Sequence, residues 1–447
     1  MRRHRFGTFV GGIDLPDDKR ATVDSAIQPL PLPERLYVPI DPCRLGKAVV
    51  CVQAGQRVRA AQRLAVTAGR MPVYAPADGV VAAAGNCAVA AGGAPGETPA
   101  VELTELVSVA EIRSDVEPVA DWRAATAEEL IEHIASGGLT TYDRSLEPLA
   151  DWCAAARAAG VDSLLANGME NEPMLTADHR RLVEFGPEVI EGLAILARVL
   201  GVRWTALAVD ARRTESYRLA ADAAEEMDIQ SLAVEHKYPI GHPVMLTRVL
   251  TGRKVPPGGR PPDVRVAVAP LAACLAVRRW VVRSEPPTGM AITVAGAAVG
   301  RPGNYQTPFG APVGHVLDAA DAVVDARDLC CGGPMTGTAV STDAVIGPQT
   351  RALTWVPSPP PVPATACIRC SWCTDHCPVR LNVADLNDRY ELGQIDRARR
   401  SDVVACIGCG VCSYVCPARL PLTERMRQLT RAVRIAEAQQ LKIGVDQ

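Results

Sequence analysis

Eight of the fifteen cysteines fall in two short runs near the end of the 447-residue chain. Both runs have the spacing C-x2-C-x2-C-x3-C-P, and the second begins 39 residues after the first. Their cysteines are Cys367, Cys370, Cys373 and Cys377, followed by Cys406, Cys409, Cys412 and Cys416. Three thiolates at the tight x2 spacing can converge on one corner of a [4Fe-4S] cubane, while loop amides point at its sulfides. The runs therefore predict two [4Fe-4S] clusters.

The fourth cysteine of each run precedes a proline, and a helix start carries it away from its own run. In two-cluster ferredoxins this cysteine ligates the other cluster. We therefore assign Cys367, Cys370, Cys373 and Cys416 to cluster 1, and Cys406, Cys409, Cys412 and Cys377 to cluster 2. The alternative is a pair of structural zinc sites, but zinc ribbons use two separated C-x2-C pairs. The sequence indicates no catalytic side chain.

Composition and charge limit the class of protein. The formal net charge is −3, which gives no indication of nucleic-acid binding. The basic opening residues are not followed by the apolar segment of a secretory signal. The most apolar window, 266–277, is much shorter than the roughly 20 residues of a membrane span. We expect a cytoplasmic protein, peripheral to a membrane at most, whose clustered thiols bind metal rather than form disulfides.

Short apolar segments alternate with turns over residues 36–82. This pattern resembles the barrel-sandwich hybrid domain of lipoyl and biotinyl carriers, and Gly55 and Gly79 fall where its turns need positive φ. A carrier needs a lysine on its hairpin, but the sequence there is TAGRMPV, with Arg70 and no lysine. We therefore predict that residues 1–115 form a barrel-sandwich hybrid that serves structure or docking.

Strands alternate with helices over residues 120–283, the pattern of a parallel, Rossmann-like α/β domain. Thr126 and Glu129 form a capping box before an apolar run and predict a helix start. A longer helix is predicted over 186–201, with Pro187 in its first turn and Gly201 past its end. Further strands are predicted at 161–167, 204–210, 229–236 and 264–270, and further helices at 215–227 and 242–252.

Four segments complete a multidomain α+β fold. Residues 284–354 are predicted to form a small β-grasp unit of the SLBB type, because short strands surround a helix-like stretch. Residues 355–366 form a proline-rich linker. Residues 367–422 form the two-cluster ferredoxin-like segment, and 423–447 a basic amphipathic closing helix.

A series of short motifs runs through almost the whole chain. They include FVGGIDLPDDK (9–19), VYAPADGVV (73–81), NGMENEPMLTADHR (167–180), KYPIGHPVMLTRVLTGRKVPPGG (237–259), CGGPMTG (331–337) and both cysteine runs. In this order they resemble the RnfC family, a component of the Rnf ion-translocating electron-transport complex. Through it the chain resembles the flavoprotein subunit of bacterial NADH:quinone oxidoreductase. Corrinoid (cobalamin) reductases of bacterial microcompartments share these modules in a different order.

The resemblance implies an α/β domain that binds FMN on a glycine-rich loop and accepts hydride from NADH. The corresponding segment here is SGGLTTYDRSLEPL (136–149), which keeps only Gly137 and Gly138. A phosphate cradle needs closely spaced backbone N–H groups with no side chain in the way. The threonines and the tyrosine that follow the glycines crowd this loop. Asp143 and Glu147 would repel a phosphate, and Arg144 is the only local cation to offset them. We therefore predict that the protein holds no stoichiometric FMN.

The resemblance also implies that Asn167, Glu170, Glu172 and Asp178 face the flavin and the nicotinamide nucleotide. The alternative is that this acidic loop caps the next helix, with Thr176 and Asp178 in the capping role. Loss of the glycine loop favours capping.

Three functions remain open at this level. The preferred one is an iron-sulfur electron-transfer subunit that relays electrons between redox partners, such as a ferredoxin, a flavodoxin or other subunits of a complex. The alternatives are an active NADH-oxidising FMN/iron-sulfur subunit and a corrinoid reductase. The resemblance implies membrane contact only through partners, on the cytoplasmic face, or enclosure in a microcompartment.

Overall fold

The computed structural model describes residues 8–68, 70–90, 96–323, 328–356 and 363–445, with backbone only for 441–445. The described residues separate into two compact units. The first contains residues 17–234 and 265–356. The second contains residues 8–16, 235–264 and 363–445, so segments distant in sequence join the cysteine runs.

The first unit begins with short strands and two long ones that pair as a hairpin. These strands are β1 (Ile27–Pro29), β2 (Leu36–Pro39), β3 (Ala48–Val50), β4 (Arg57–Val58), β5 (Arg63–Thr67), β6 (Met71–Tyr74), β7 (Asp78–Ala90) and β8 (Glu97–Val107). β7 pairs with β8 and β4, β8 pairs with β2, and β3, β5 and β6 form a separate antiparallel sheet. The predicted strand-and-turn pattern of this region is confirmed.

One of the two predicted turn glycines behaves differently from the expectation. Gly55 has φ +80°, as predicted. Gly79 lies inside β7 and does not have positive φ, so that prediction was wrong. A Cβ at Gly79 would lie 2.8 Å from the carbonyl oxygen of Thr104 on β8. Glycine is needed there because two strands approach closely.

The middle of the first unit is a parallel sheet flanked by helices. Its elements are α1 (Ala127–Ser136), α2 (Leu149–Ala158), β9 (Ser163–Gly168), α3 (Ala177–Leu200), β10 (Trp204–Asp210), α4 (Thr214–Glu226), β11 (Gln230–Val234), β12 (Val266–Pro270) and α6 (Leu271–Arg283). The strand order is β11-β10-β9-β12, and every pair is parallel. The predicted parallel α/β arrangement is confirmed, whereas α2 and α6 were not predicted.

The capping box at α1 is present, with Thr126 accepting from the Glu129 amide. α3 starts nine residues before the predicted helix, and Phe185 interrupts it with non-helical φ and ψ. Pro187 then lies in the first turn after this kink, where its missing N–H is tolerated. Gly201 lies just past the end of the helix, as predicted, and has the left-handed conformation.

A mixed sheet with one helix completes the first unit. Its later elements are β13 (Gly289–Gly296), β14 (Gly303–Pro308), α7 (Val313–Ala319), β15 (Leu329–Cys331), β16 (Thr338–Ala339), β17 (Val345–Ile346) and β18 (Ala352–Trp355). The sheet order is β1-β14-β13-β18-β15-β16, with β13 parallel to β18 and antiparallel to β14. β17 instead joins β7 of the N-terminal strands. One continuous apolar core runs through the unit.

The second unit is helical. It contains α5 (Pro243–Thr251), α8 (Trp372–Asp375), α9 (Val383–Glu391), α10 (Ile395–Arg400), α11 (Val411–Tyr414) and α12 (Leu422–Val445), with two short 3-10 turns. α12 packs against α9, α10 and α11 over a small core centred on Leu386, Met426 and Val433. The extended N-terminal segment adds an isolated bridge between Ile13 and Tyr238.

Residues 242–252, predicted with the α/β domain, form α5 and cluster with the second unit. The proposed domain boundaries themselves stay predictions, and residues 357–362 of the predicted linker lie outside the described residues. In the described part of the chain, no helix has both the length and the apolar character that a bilayer crossing requires.

Candidate metal centre

The four cysteines assigned to cluster 1 line one small cavity in the second unit. Cys416 of the second run is therefore brought to Cys367, Cys370 and Cys373 of the first. The rest of the wall is mostly apolar and includes Ala384 and Leu422, which lie in the first turns of α9 and α12. Four convergent thiols in an apolar wall are the donor set that the predicted [4Fe-4S] group requires.

The two cysteine runs fold in the same way. In the first run Arg369 and Ser371 have φ of +58° and +64°, and in the second Gly408 and Gly410 have φ of +64° and +86°. These residues stand at equivalent offsets from the first cysteine of each run. Positive φ is strained for Arg and Ser but easy for Gly. Such strain persists where the surrounding structure requires it, as at ligand-binding loops.

The second cysteine set is identified by electrostatic interactions among its thiols, which raise one another's pKa. Burial raises the pKa of Cys409, and the neighbouring thiols Cys412, Cys406 and Cys377 raise it further. Burial likewise raises the pKa of Cys412 to about 12, with Cys406 and Cys377 adding to the effect. Cys377 of the first run thus lies with the three leading cysteines of the second. Four neighbouring thiols, Cys377 buried and the other three half-buried, cannot ionise together unless a positively charged metal group compensates them.

Backbone amides favour a thiolate at Cys377. Burial raises the pKa of Cys377, while the amides of Leu381, Val379 and Arg380 oppose the shift. The Leu381 N–H donates to Sγ of Cys377 at 3.3 Å. Donors of this kind around a ligand sulfur tune an iron-sulfur site. Among the described residues, no three His, Cys, Asp or Glu side chains converge closely enough to hold a single metal ion.

Two segments far away in sequence buttress the second cysteine set. The hydroxyl of Tyr238 donates to the carbonyl of Cys409 at 2.7 Å. The Gly12 amide donates to the carbonyl of His376 at 2.8 Å. An added Cβ at Gly11 would lie 2.5 Å from the carbonyl oxygen of Cys377. Sequence reasoning missed these supports, although the glycine pair in FVGGIDLP was a signal of close backbone approach.

The acidic loop that the resemblance linked to flavin has structural partners in the first unit. The buried carboxylate of Glu170 accepts from the amides of Asp178 and His179 at 3.0 and 3.2 Å, at the start of α3. Glu172 accepts from the Met335 amide at 3.1 Å and from the Thr336 hydroxyl. Burial raises the pKa of Glu170, and Lys19 opposes that shift.

The residues expected to cap α3 do not do so with their side chains. Thr176 stands at the N-cap without a side-chain cap bond, and its hydroxyl instead donates to the carbonyl of Thr22 at 3.2 Å. Asp178 pairs with Arg181 and Arg351. The predicted capping by Thr176 and Asp178 was therefore wrong in its residues, because Glu170 supplies the carboxylate.

Asn167 and Lys19 complete this region. The side-chain oxygen of Asn167 accepts from the Met169 amide at 3.2 Å, at the end of β9. Lys19 is buried, and its ammonium group donates to the carbonyl of Glu170. Burial lowers the pKa of Lys19 from 10.5 to about 8. Sequence reasoning did not single out this lysine.

In the loop over residues 136–149, where the family binds the flavin phosphate, the carboxylate of Asp143 accepts hydrogen bonds from the loop itself. The carboxylate of Asp143 accepts from the amides of Ser145 and Leu146 at 3.0 and 3.2 Å, and from the Thr141 hydroxyl at 2.9 Å. An added Cβ at Gly138 would collide with the carbonyl of Pro72. The loop is therefore packed, and two of its backbone amides already bind a carboxylate in place of a phosphate.

Comparisons with known proteins match three stretches of the chain. Residues 7–104 match the RnfC barrel-sandwich hybrid domain, residues 150–279 the Nuo51 FMN-binding domain, and residues 358–420 a 4Fe-4S dicluster domain. The protein is thus a mixed α/β multidomain chain with a barrel-sandwich hybrid at the N-terminal end and a dicluster domain at the C-terminal end.

Two curated relatives are described as the C component of an ion-translocating oxidoreductase complex. The one from Salmonella arizonae is 33% identical over 398 residues, which are 85% of this chain and 57% of the relative. The one from Salmonella typhimurium is 32% identical over 398 residues, 85% of this chain and 52% of the relative. The chain therefore spans little more than half the length of these relatives.

A solved NAD+-reducing [NiFe]-hydrogenase in its air-oxidized state is similar with a TM-score of 0.46 and 17% identity, covering 69% of this chain and 63% of that one. The domain matches and the relatives together show that the chain is similar to the RnfC family over most of its length and that its middle segment is related to the Nuo51 FMN-binding domain.

Proposed function

We propose that this chain is an iron-sulfur electron-transfer subunit of the RnfC type, which relays electrons through two [4Fe-4S] clusters between redox partners. The observation that carries the proposal is the cavity lined by Cys416 together with the three leading cysteines of the first run. A C-x2-C-x2-C-x3-C-P run whose last cysteine joins the other set is the ligand pattern of a two-cluster ferredoxin.

The proposed ligands are Cys367, Cys370, Cys373 and Cys416 for cluster 1, and Cys406, Cys409, Cys412 and Cys377 for cluster 2. When bound, each cluster supplies a site that accepts and releases one electron. The protein's part is to hold the thiolates, to exclude water and to set the local polarity. The short α8 and α11 position the third cysteine of each run, and the buried side chains of α9 and α12 close the cavity behind them.

The crossed ligand sets also have a functional consequence. Each run contributes its last cysteine to the neighbouring set, so the two sets cannot move far apart. Closely spaced one-electron centres suit a relay, because electron transfer slows steeply with distance. This arrangement supports passage of electrons through the dicluster segment rather than storage at an isolated site.

The runner-up function is an NADH-oxidising FMN/iron-sulfur subunit. The match of residues 150–279 to the Nuo51 FMN-binding domain favours it. The Asp143 carboxylate and the packing at Gly138 oppose it, since a buried phosphate without amide donors or a cation costs several kcal/mol. We therefore propose that FMN is not a stoichiometric cofactor and that Asn167, Glu170, Glu172 and Asp178 serve structure. A corrinoid reductase has no observation in its favour.

The finer architecture belongs to the same proposal. A β-grasp unit of the SLBB type over residues 284–354 is supported by the central parallel pair β13–β18, flanked by β14 and β15, with α7 between β14 and β15 in the chain. The proposed boundaries are 1–115, 120–283, 284–354, 367–422 and 423–447. Proposed partners are redox proteins and the other subunits of a complex, through which the chain would reach the cytoplasmic face of a membrane.

Anaerobic purification with iron, sulfide and flavin quantification tests the proposal. We expect about eight iron and eight sulfide per chain, with visible absorbance that dithionite bleaches. Zinc in place of iron would overturn the cluster assignment. FMN near one per chain, with rapid NADH-driven bleaching, would overturn the relay in favour of the flavin-dependent alternative.

A further inference from the structure

Two adjoining grooves open beside the second cysteine set, and both lie within the second unit. The larger has a volume of about 490 Å³ and runs between the 242–259 segment and the loops that follow Cys377 and precede Cys406. The smaller, of about 380 Å³, follows one face of α12. The grooves share two lining residues, Cys406 and Arg434. They form one surface that ends at a proposed cluster 2 ligand.

Permanent positive charges dominate this surface. Six cationic side chains line the two grooves, namely Arg248, Lys254, Arg380, Arg427, Arg431 and Arg434. The carboxylate among the described lining residues is Asp402. The chain as a whole has a net charge of −3, so this concentration of cations is a local feature. Such a patch raises a positive potential that attracts anionic partners.

The cations are presented to solvent rather than paired. Arg248, Lys254, Arg380, Arg431 and Arg434 are exposed. In the described residues, none of these five forms an ion pair with a carboxylate. Exposed, unpaired charges at a rim act mainly by steering the encounter with a partner and by fixing its orientation.

The spread of the surface favours a macromolecule over a small ligand. Small-molecule sites enclose most of the ligand. Here two grooves adjoin, and the second extends the first along α12. The cations come from α5 and the residues after it, from the loop after Cys377 and from α12.

We propose that this basic surface is the docking site of an acidic electron-transfer protein, and that electrons are exchanged there through the Cys406 edge of cluster 2. The inference rests on the proposed function and adds the place of entry and the charge of the partner. One electron passes in each encounter, the reduced partner is oxidised, the cluster is reduced, and no covalent bond forms or breaks.

The test uses the full-length, cluster-loaded protein and a reduced, acidic two-cluster ferredoxin as probe. Stopped-flow absorbance gives the second-order rate constant of cluster reduction as a function of ionic strength. The variants are Arg434→Glu, at the junction of the grooves, and Arg248→Glu on α5. The matched control is Arg218→Glu, an exposed arginine of α4 that lines neither groove. Dithionite, a small reductant, reports separately whether the clusters are present.

We expect Arg434→Glu and Arg248→Glu each to lower the rate constant on the order of fivefold at low salt, and the loss to vanish at high salt. Arg218→Glu should behave like the unmodified protein, and dithionite should reduce all four proteins equally. Equal effects of the groove and control variants would overturn the docking site. So would NADH that reduces the clusters and competes with ferredoxin, since that would make the surface a nucleotide site.

Failure of the proposed function gives a different result. In that case dithionite would bleach no cluster absorbance in any variant. Titration calorimetry with oxidised ferredoxin would still measure binding to the docking surface, because binding does not depend on electron transfer. Salt-sensitive binding weakened by Arg434→Glu and not by Arg218→Glu supports the surface, and its absence overturns it.

Discussion

The hydroxyl of Tyr238 donates a hydrogen bond to the backbone carbonyl of Cys409, 171 positions further along the chain, at 2.7 Å. Tyr238 is almost fully buried, at 2% exposure. The bond ties the 235–264 segment to the loop of the second cysteine run. A buried carbonyl that loses its donor carries a desolvation penalty, so this contact holds the loop in place.

The first prediction is that Tyr238→Phe weakens the second cluster. Loss of the donor should cost about 1–2 kcal/mol of stability. It should also shift the reduction potential of cluster 2, because the loop that carries Cys409 loses the bond that holds it in place. The matched control is Tyr390→Phe, whose hydroxyl bonds the exposed Gln428 at 2.6 Å. Redox titration followed by EPR measures both, and equal shifts in the two variants would contradict the prediction.

A second prediction concerns Gly11. Its φ is +81°, and a Cβ there would lie 2.5 Å from the carbonyl oxygen of Cys377. Gly11→Ala should therefore displace the loop of a proposed cluster 2 ligand and reduce the iron content towards about four per chain. Gly46→Ala is the control, because Gly46 has φ +71° but nothing within 4 Å of an added Cβ.

The two substitutions share backbone strain and differ only in the collision. Positive φ costs a non-glycine residue about 1–2 kcal/mol. Gly46→Ala should show that loss in thermal unfolding while keeping full iron. If Gly11→Ala also keeps full iron, the N-terminal segment does not support the cluster.

Local spacing made the cysteine chemistry predictable. The ligands of each run lie within eleven residues, so the pattern can be seen without knowledge of the fold. The parallel sheet was predictable for a similar reason, since each strand is a short apolar run between helical patterns. The contact between Tyr238 and Cys409 joins residues far apart in sequence, and no hydrophobic periodicity in the sequence predicts it.

The α3 cap shows why the sequence misassigns the acidic loop. Thr176 stands where a side-chain cap is usual, yet its hydroxyl is drawn to Thr22 and Asn304 by tertiary packing. Glu170 lies eight residues before the first amide that it accepts, which is beyond the spacing of any standard cap. From the sequence, Asp143 could be interpreted only as a charge that repels phosphate. In the structure its carboxylate accepts hydrogen bonds from two amides of the same loop.

The crossed ligand sets give a third prediction. Cys416→Ser should reproduce the EPR spectrum of Cys370→Ser, because both would remove a ligand of cluster 1. Cys377→Ser should instead reproduce the spectrum of Cys409→Ser. The reference variants define each cluster's signal, since Cys370 and Cys409 stand in the middle of their own runs. Matching of Cys416→Ser to Cys409→Ser would show that each run keeps its own four ligands.

The last prediction is a dependence of stability on pH that comes from Lys19. Burial lowers its pKa from 10.5 to about 8, Glu170, Asp210 and Asp17 oppose the shift, and Arg213 adds to it. Between about pH 8 and pH 10.5, the lysine of the unfolded chain binds more protons than the lysine of the folded protein. Stability therefore rises with pH across this window. The rise amounts to about 3 kcal/mol, at 1.36 kcal/mol for each pKa unit.

Lys19→Met should abolish this rise, whatever it does to stability at neutral pH, because the titrating group is gone. Lys47→Met, at an exposed lysine, should keep it. Urea unfolding at about pH 8 and about pH 10.5 measures the difference for each protein, and groups common to all three cancel when the slopes are compared. The same slope in the unmodified protein and in Lys19→Met would mean that Lys19 is not buried as a charge in solution.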